Sequence, residues 1–185
     1  MIAVIALSAA LALQADTIWR GHSGPVHSLA VSPRGNLVAS GGFDHDVRLW
    51  DSNTGRTIRV LRGHREEVDA LAFSPNGKLL ASASFDGSVQ VWDVASGRSV
   101  RVFHPKAWSI AVAFANDSTL VIGDQAGQVT VNALRDGRVL RTIEPGFEIY
   151  SLAAAPDGRS MHSPSQQTGC CSQVRVSMAA FRYGM

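Results

Sequence analysis

A 42-residue internal repeat constrains this chain more than any other feature. "GHSGPVHSLAVSPRGNLVASGGFDHDVRLWDSNTG", from Gly21, aligns with "GHREEVDALAFSPNGKLLASASFDGSVQVWDVASG", from Gly63. Gly21-His22 matches Gly63-His64, Ser32-Pro33 matches Ser74-Pro75, Asp44 matches Asp86, and Trp50-Asp51 matches Trp92-Asp93, each pair 42 positions apart. Self-similarity at a fixed period of this length marks an array of supersecondary units, none of which buries its apolar surface alone. A third copy from Phe103 keeps the apolar pattern but carries Asn132 in place of Trp and Ala126 in place of Asp. A fourth opens at "FEIYSLAAAPDGRS", near residue 146, and breaks off.

Each unit reads as four short strands. "LAVS", "ALAFS", "IAVAFA" and "SLAAA" are apolar runs ended by turn residues such as Pro-Asn-Gly. Along "ALAF", Leu71 and Phe73 point to one side and Ala70 and Ala72 to the other, so both faces of the strand are apolar and both must pack. "LLASAS" runs through Phe85-Asp86-Gly87 into "SVQVWD", a hairpin with an Asp-Gly turn, and "SVRVF" follows as a fourth strand with Arg101 exposed. Four strands per unit of about 40–45 residues is the size of a propeller blade.

The Gly-His near the start of each unit, the Asp of the hairpin turn and the closing Trp-Asp resemble the WD-repeat β-propeller family, over roughly residues 19 to 160. The resemblance implies an all-β fold of four-stranded antiparallel blades, about 3 to 3.5 of them here. It also implies a hydrogen-bonded set within each complete blade: His22, Ser40, Asp44 and Trp50 in the first, His64, Ser82, Asp86 and Trp92 in the second. Asp44, His45 and Asp46 side by side suggest a metal clutch, but only Asp44 recurs; Gly87 and Ser88 stand at the other two positions. The repeat therefore favours a structural Asp over a metal ligand. No residue is assigned a catalytic or metal-binding role, and no cofactor is expected.

Family members of this kind serve mainly as platforms for protein contacts, so the expected function is a non-enzymatic interaction scaffold. The resemblance places Ser23, Gly24 and Pro25 beside Phe43 and His45 on one rim, and Arg65, Glu66 and Glu67 beside Phe85. Phe43, His45, Arg65, Glu66 and Phe85 are thus the candidate partner-binding residues, unless each Phe folds back onto its own blade. A net charge of +2 with basic residues scattered along the chain speaks against nucleic acid as partner. An alternative from another class is the propeller part of an exported enzyme or haem-containing redox protein whose active module is absent from this chain.

Both ends depart from the repeat. Residues 1–15, "MIAVIALSAALALQA", hold an apolar run too short to span a bilayer, which needs about 20 residues. The run fits the apolar part of a secretory signal peptide, although it lacks Lys or Arg; a buried strand or a misassigned start codon are the alternatives. Export to a bacterial periplasm or the extracellular space is the expectation if residues 1–15 are a signal, and the cytoplasm otherwise. The blades are assigned to 16–160 and an anomalous tail to 161–185. The tail has no Trp and no Asp turn, and its Cys170-Cys171 pair is unsuited to a disulfide. A frame disrupted near Ser160, a fragment of a longer propeller, a non-functional remnant, or a partial propeller that self-associates through open blade edges would each account for it.

Overall fold

The computed structural model describes residues 18–144, 151–154 and 173–176. These residues form β-strands and no helix, so none is long and apolar enough to cross a membrane. The signal-like stretch, Cys170, Cys171 and most of the anomalous tail lie outside the described residues.

Three antiparallel four-stranded sheets follow one another along the chain. The first comprises β1 (Val26–Val31), β2 (Leu37–Gly42), β3 (Val47–Asp51) and β4 (Thr57–Leu61), hydrogen-bonded in that order. The second repeats it with β5 (Val68–Phe73), β6 (Leu79–Ser84), β7 (Val89–Asp93) and β8 (Ser99–Phe103). The third uses β9 (Ser109–Asn116), β10 (Thr119–Asp124), β11 (Val129–Ala133) and β12 (Val139–Ile143). The register is the same in all three: Trp50 faces Val38, Trp92 faces Leu80 and Asn132 faces Leu120. The first strands of successive sheets, β1, β5 and β9, lie next to one another.

The β2–β3, β6–β7 and β10–β11 hairpins turn in the same way. The amides of His45, Gly87 and Gly127 each bond back three residues, to Gly42, Ser84 and Asp124, and all three residues have φ between 66° and 81°. This is a tight turn closed by one left-handed residue, a position that glycine occupies without steric cost and that His45 fills as a non-glycine outlier.

The blades interlock large residues into small ones. On one face of the second blade, Val68, Leu71, Leu80 and Trp92 pack with Ala39, Val47, Leu49 and Leu61 of the first. On its opposite face Ala81, Ala83, Val89 and Val91, flanked by Ala70 and Ala72, receive Val112, Phe114, Leu120 and Ile122 of the third. The alternation read along "ALAF" thus sorts β5 between two neighbours. Gly41 marks the closeness of the fit, since a methyl group there would stand 2.5 Å from Val68 Cγ1 across the junction. In the first blade the equivalents of Leu71 and Phe73, Leu29 and Val31, have no such cover among the described residues and are 43% and 38% exposed.

Two sequence expectations change. Arg101 is half-buried: its guanidinium donates to the carbonyls of Leu134 and Arg135 in the next blade at 3.2 and 2.7 Å. The exposed side chains of β8 are Ser99, Val100 and Val102. The strand expected in "SLAAA" forms as β13 (Ser151–Ala154), which lies against β9 with Leu152 on the third blade's core. It pairs parallel with β14 (Gln173–Val176), within the "SQVRVS" segment, whereas blade strands pair antiparallel.

The packing predicts unequal costs at equivalent faces. Leu80→Ala, at a fully buried junction, should lower unfolding free energy by about 2–5 kcal/mol. Leu29→Ala on the uncovered face should cost about 1 kcal/mol or less. Urea denaturation of both variants measures the difference.

Candidate functional site

Two hydrogen-bond relays run through the first two blades. In the first, His22 Nδ1 lies 2.7 and 2.9 Å from the two carboxylate oxygens of Asp44, and His22 Nε2 lies 2.6 Å from Ser40 Oγ. Trp50 Nε1 donates to the same Ser40 oxygen at 2.7 Å. In the second, His64 Nδ1 is 3.0 Å from Asp86, His64 Nε2 is 2.7 Å from Ser82 Oγ, and Trp92 Nε1 donates to Ser82 Oγ at 2.8 Å. An ionised carboxylate only accepts, so the proton of a neutral imidazole sits on Nδ1. Nε2 then accepts from the serine hydroxyl, whose oxygen accepts from the indole. Every member is satisfied.

Each Asp also accepts a backbone amide from the residue after its His, Ser23 N at 2.9 Å and Arg65 N at 3.0 Å. Asp86 gains a partner that the sequence reading missed. Ser88 Oγ and Ser88 N donate to it at 2.6 and 2.8 Å. Burial by itself would raise the Asp86 carboxyl, but Ser88, the Arg65 amide and His64 outweigh it and hold the group at about 2. Asp44 is likewise lowered: burial raises it, while His22 and the Ser23 amide lower it by more. His64 moves down, because burial penalises the imidazolium more than Asp86 and Ser82 favour it.

A serine, histidine and aspartate in this order are also the parts of a nucleophilic triad. Here the serine oxygens already hold an indole N–H, and Ser40 and Ser82 are 3% and 0% exposed. The three neighbours that opened the metal question go separate ways: Asp44 to His22, Asp46 to Arg48 and Arg62 at 3.3 and 3.4 Å, and His45 to the tip of its turn.

The Asp of each closing Trp-Asp has a separate task. Asp51 Oδ1 accepts from the amides of Asn53 and Thr54 and from the Thr54 hydroxyl, and Asp93 Oδ1 from the amide and hydroxyl of Ser96, so each carboxylate holds the turn into the outer strand. Arg59 Nη2 reaches the carbonyl of Ala95 in the following blade at 2.9 Å, as Arg101 does one blade on. Arg59 and Arg101 are 42 positions apart, so the repeat alignment already held the signal for this clasp.

On the hairpin rim the loops meet through matching bonds. Phe43 N donates to Pro25 O, Phe85 N to Glu67 O and Gln125 N to Trp108 O, at 2.9–3.0 Å. Phe43 is 42% exposed and meets the edge of His27 at 5.8 Å. His27 itself joins Asp69 of the second blade at 2.7 Å. Phe85 is half-buried and meets Trp108 at right angles, 6.0 Å between centroids. It leans on the next blade, an arrangement not foreseen, and the more exposed aromatic is Trp108 at 53%. Arg65 and Glu66 are exposed.

A family model described as "WD domain, G-beta repeat" matches residues 14–51 and 55–93. The chain carries two WD repeats, over these residues. Its repeats resemble a ribosome biogenesis protein, erb1 of Neurospora crassa, at 52% identity over 44 residues, 24% of this chain and 6% of that protein. A BOP1 homologue of Oryza sativa subsp. japonica, also a ribosome biogenesis protein, is 48% identical over 42 residues, 23% of this chain and 6% of the relative. Among solved structures, U3-55K superposes with a TM-score of 0.68 at 22% identity over 71% of this chain and 43% of the other. The RRP9 WD40 repeats superpose equally well, over 42% of their chain. The chain thus spans a small part of its curated relatives and under half of the solved propellers.

These relatives correct the expectation of export. They are ribosome biogenesis proteins of a fungus and a plant, whose work lies inside the cell, and the family match begins at residue 14, within the stretch read as a signal. A short apolar run without Lys or Arg does not by itself distinguish a signal from other apolar segments. The alternative of an exported enzyme or haem-bearing redox protein finds no support among them.

The ionisation of the second relay predicts acid lability. His64 is lowered in the folded chain, so the unfolded chain binds that proton first. The contribution is whole above the ordinary value of 6.5 and is lost as pH falls below it. Asp86 adds a second loss as pH drops from its ordinary 3.8 towards about 2. Melting temperature should therefore fall between pH 7 and 5, and His64→Gln, though less stable throughout, should show a flatter profile over that interval.

Proposed function

We propose that this chain is a non-enzymatic platform for protein partners, and that its contact surface is the hairpin rim. One observation carries the reading: Trp108, 53% exposed, stands against Phe85 with exposed Lys106 beside it, and exposed Arg65 and Glu66 precede Glu67, whose carbonyl holds the Phe85 amide. Exposed aromatics ringed by charged side chains have the composition of an interface hot spot. The polar side chains of the two relays are meanwhile consumed inside the blades. Phe43 and His45 extend the rim on the first blade. The small net charge supports a protein surface over a polyanion as the ligand. The names of the relatives support an intracellular assembly of the kind that ribosome biogenesis requires as the setting.

Two experiments test this. A Phe85→Ala/Trp108→Ala variant should lose partners at least 5-fold in quantitative affinity purification from the native cells, with thermal melting within a few degrees of the parent chain. An unchanged partner set would overturn the rim assignment. A fluorophosphonate probe should leave Ser40 and Ser82 unmodified, as read by peptide mass spectrometry; an adduct on either would identify a reactive serine and overturn the non-enzymatic reading.

A further inference from the structure

The third blade lacks the relay, and the space that the relay fills elsewhere is open. In the first two blades the indole reaches the incoming loop: a methyl group on Gly21 would come within 2.8 Å of Trp50 Cη2, and one on Gly63 within 2.9 Å of Trp92 Cη2. Strand register puts Asn132 in the place of those tryptophans. By the same alignment Ile122 replaces Ser82 and Thr130 replaces Gln90. The substitutes at the Trp and Gln positions are shorter, and a cleft of about 740 Å³ lies between the loop His104-Pro105-Lys106 and strand β11. That volume falls in the range of ligand sites, about 300–1,000 Å³.

The walls of the cleft suit one kind of occupant. Phe103 and Ile122 provide apolar surface, Ile122 at the position where the other blades offer a serine oxygen. Asn132, 3% exposed, donates from Nδ2 to Thr130 Oγ1 at 3.0 Å, which leaves its amide oxygen as an acceptor. A flat apolar ring carrying a single N–H donor matches both. The chain itself seats such a ring at the equivalent place in its other two blades.

We propose that this cleft receives an aromatic side chain, tryptophan before others, presented by a protein partner in place of the indole that the third blade lacks. The inference rests on the platform reading above and adds to it the chemistry of the partner's anchor. Tryptophan is among the side chains that most often dominate binding energy at protein interfaces. The occupied cleft would restore to the third blade the filled junction of the other two.

The test is a titration of the ¹⁵N-labelled full chain with N-acetyltryptophanamide, followed by NMR, with N-acetylleucinamide as control. Saturable shifts are expected at the backbone amides of Gln128, Thr130 and Asn132, with a dissociation constant on the order of 1 mM for so small a probe. Asn132→Trp, which supplies the missing ring from within, should weaken probe binding at least 10-fold while the chain still melts cooperatively. Thr130→Gln, which installs the residue that the second blade carries at that position, should weaken it as well and serves if the first variant does not fold. Absent shifts at these amides, an equal response to the leucine probe, or unchanged binding by a folded variant would each overturn the proposal. No partner protein enters this titration, so failure here with rim-dependent partner capture intact removes the cleft and leaves the platform. Probe binding with capture insensitive to the rim would remove only the rim.

Discussion

A four-stranded sheet that is apolar on both faces has no side to give to water, and every other feature of this chain follows from that constraint. The second blade survives because its large face enters the small face of the first, and its small face receives the large face of the third. The burial is close enough that a single methyl group at Gly41 would collide with Val68. Burial of this kind is non-directional, and by itself it would leave the blades free to slide.

Directional bonds set the blades in place. The Trp–Ser–His–Asp relay spans a blade from its third strand, through its second, to the loop entering its first and to its hairpin turn. It is buried and fully satisfied, which is the condition under which such a network rigidifies a fold and does not burden it. Arg59 and Arg101 add clasps between neighbours, and His27 joins Asp69 across the inner strands. The third blade stands without a relay because Phe114, Leu120 and Ile122 still lock into the second, and its junction is correspondingly more open.

Function on such a frame falls to what the frame does not consume. The residues that looked most chemical, Asp44, His45 and Asp46, are spent on a relay, a turn and a pair of arginines. The residues we propose for recognition lie on the rim around Trp108 and Phe85, and at the vacated junction beside Asn132. Degeneration of one repeat thus costs a hydrogen-bond set and exposes a cleft with a shape that the intact repeats define.

The repeat determined where the units begin and that each holds four short strands, because residues recur at one offset, and the resemblance to the WD-repeat family supplied the membership of both relays. Alternation along "ALAF" also determined that both faces of that strand must pack, since successive residues of a strand point to opposite faces. Tertiary structure decided what lies between units. That Arg101 is a clasp, that Phe85 leans on Trp108 of the next blade, that Ser88 completes the Asp86 site and that Asn132 borders a cleft all depend on distances between segments far apart in sequence. Periodicity reports how one strand is made; only packing reports what the neighbouring blade brings to it.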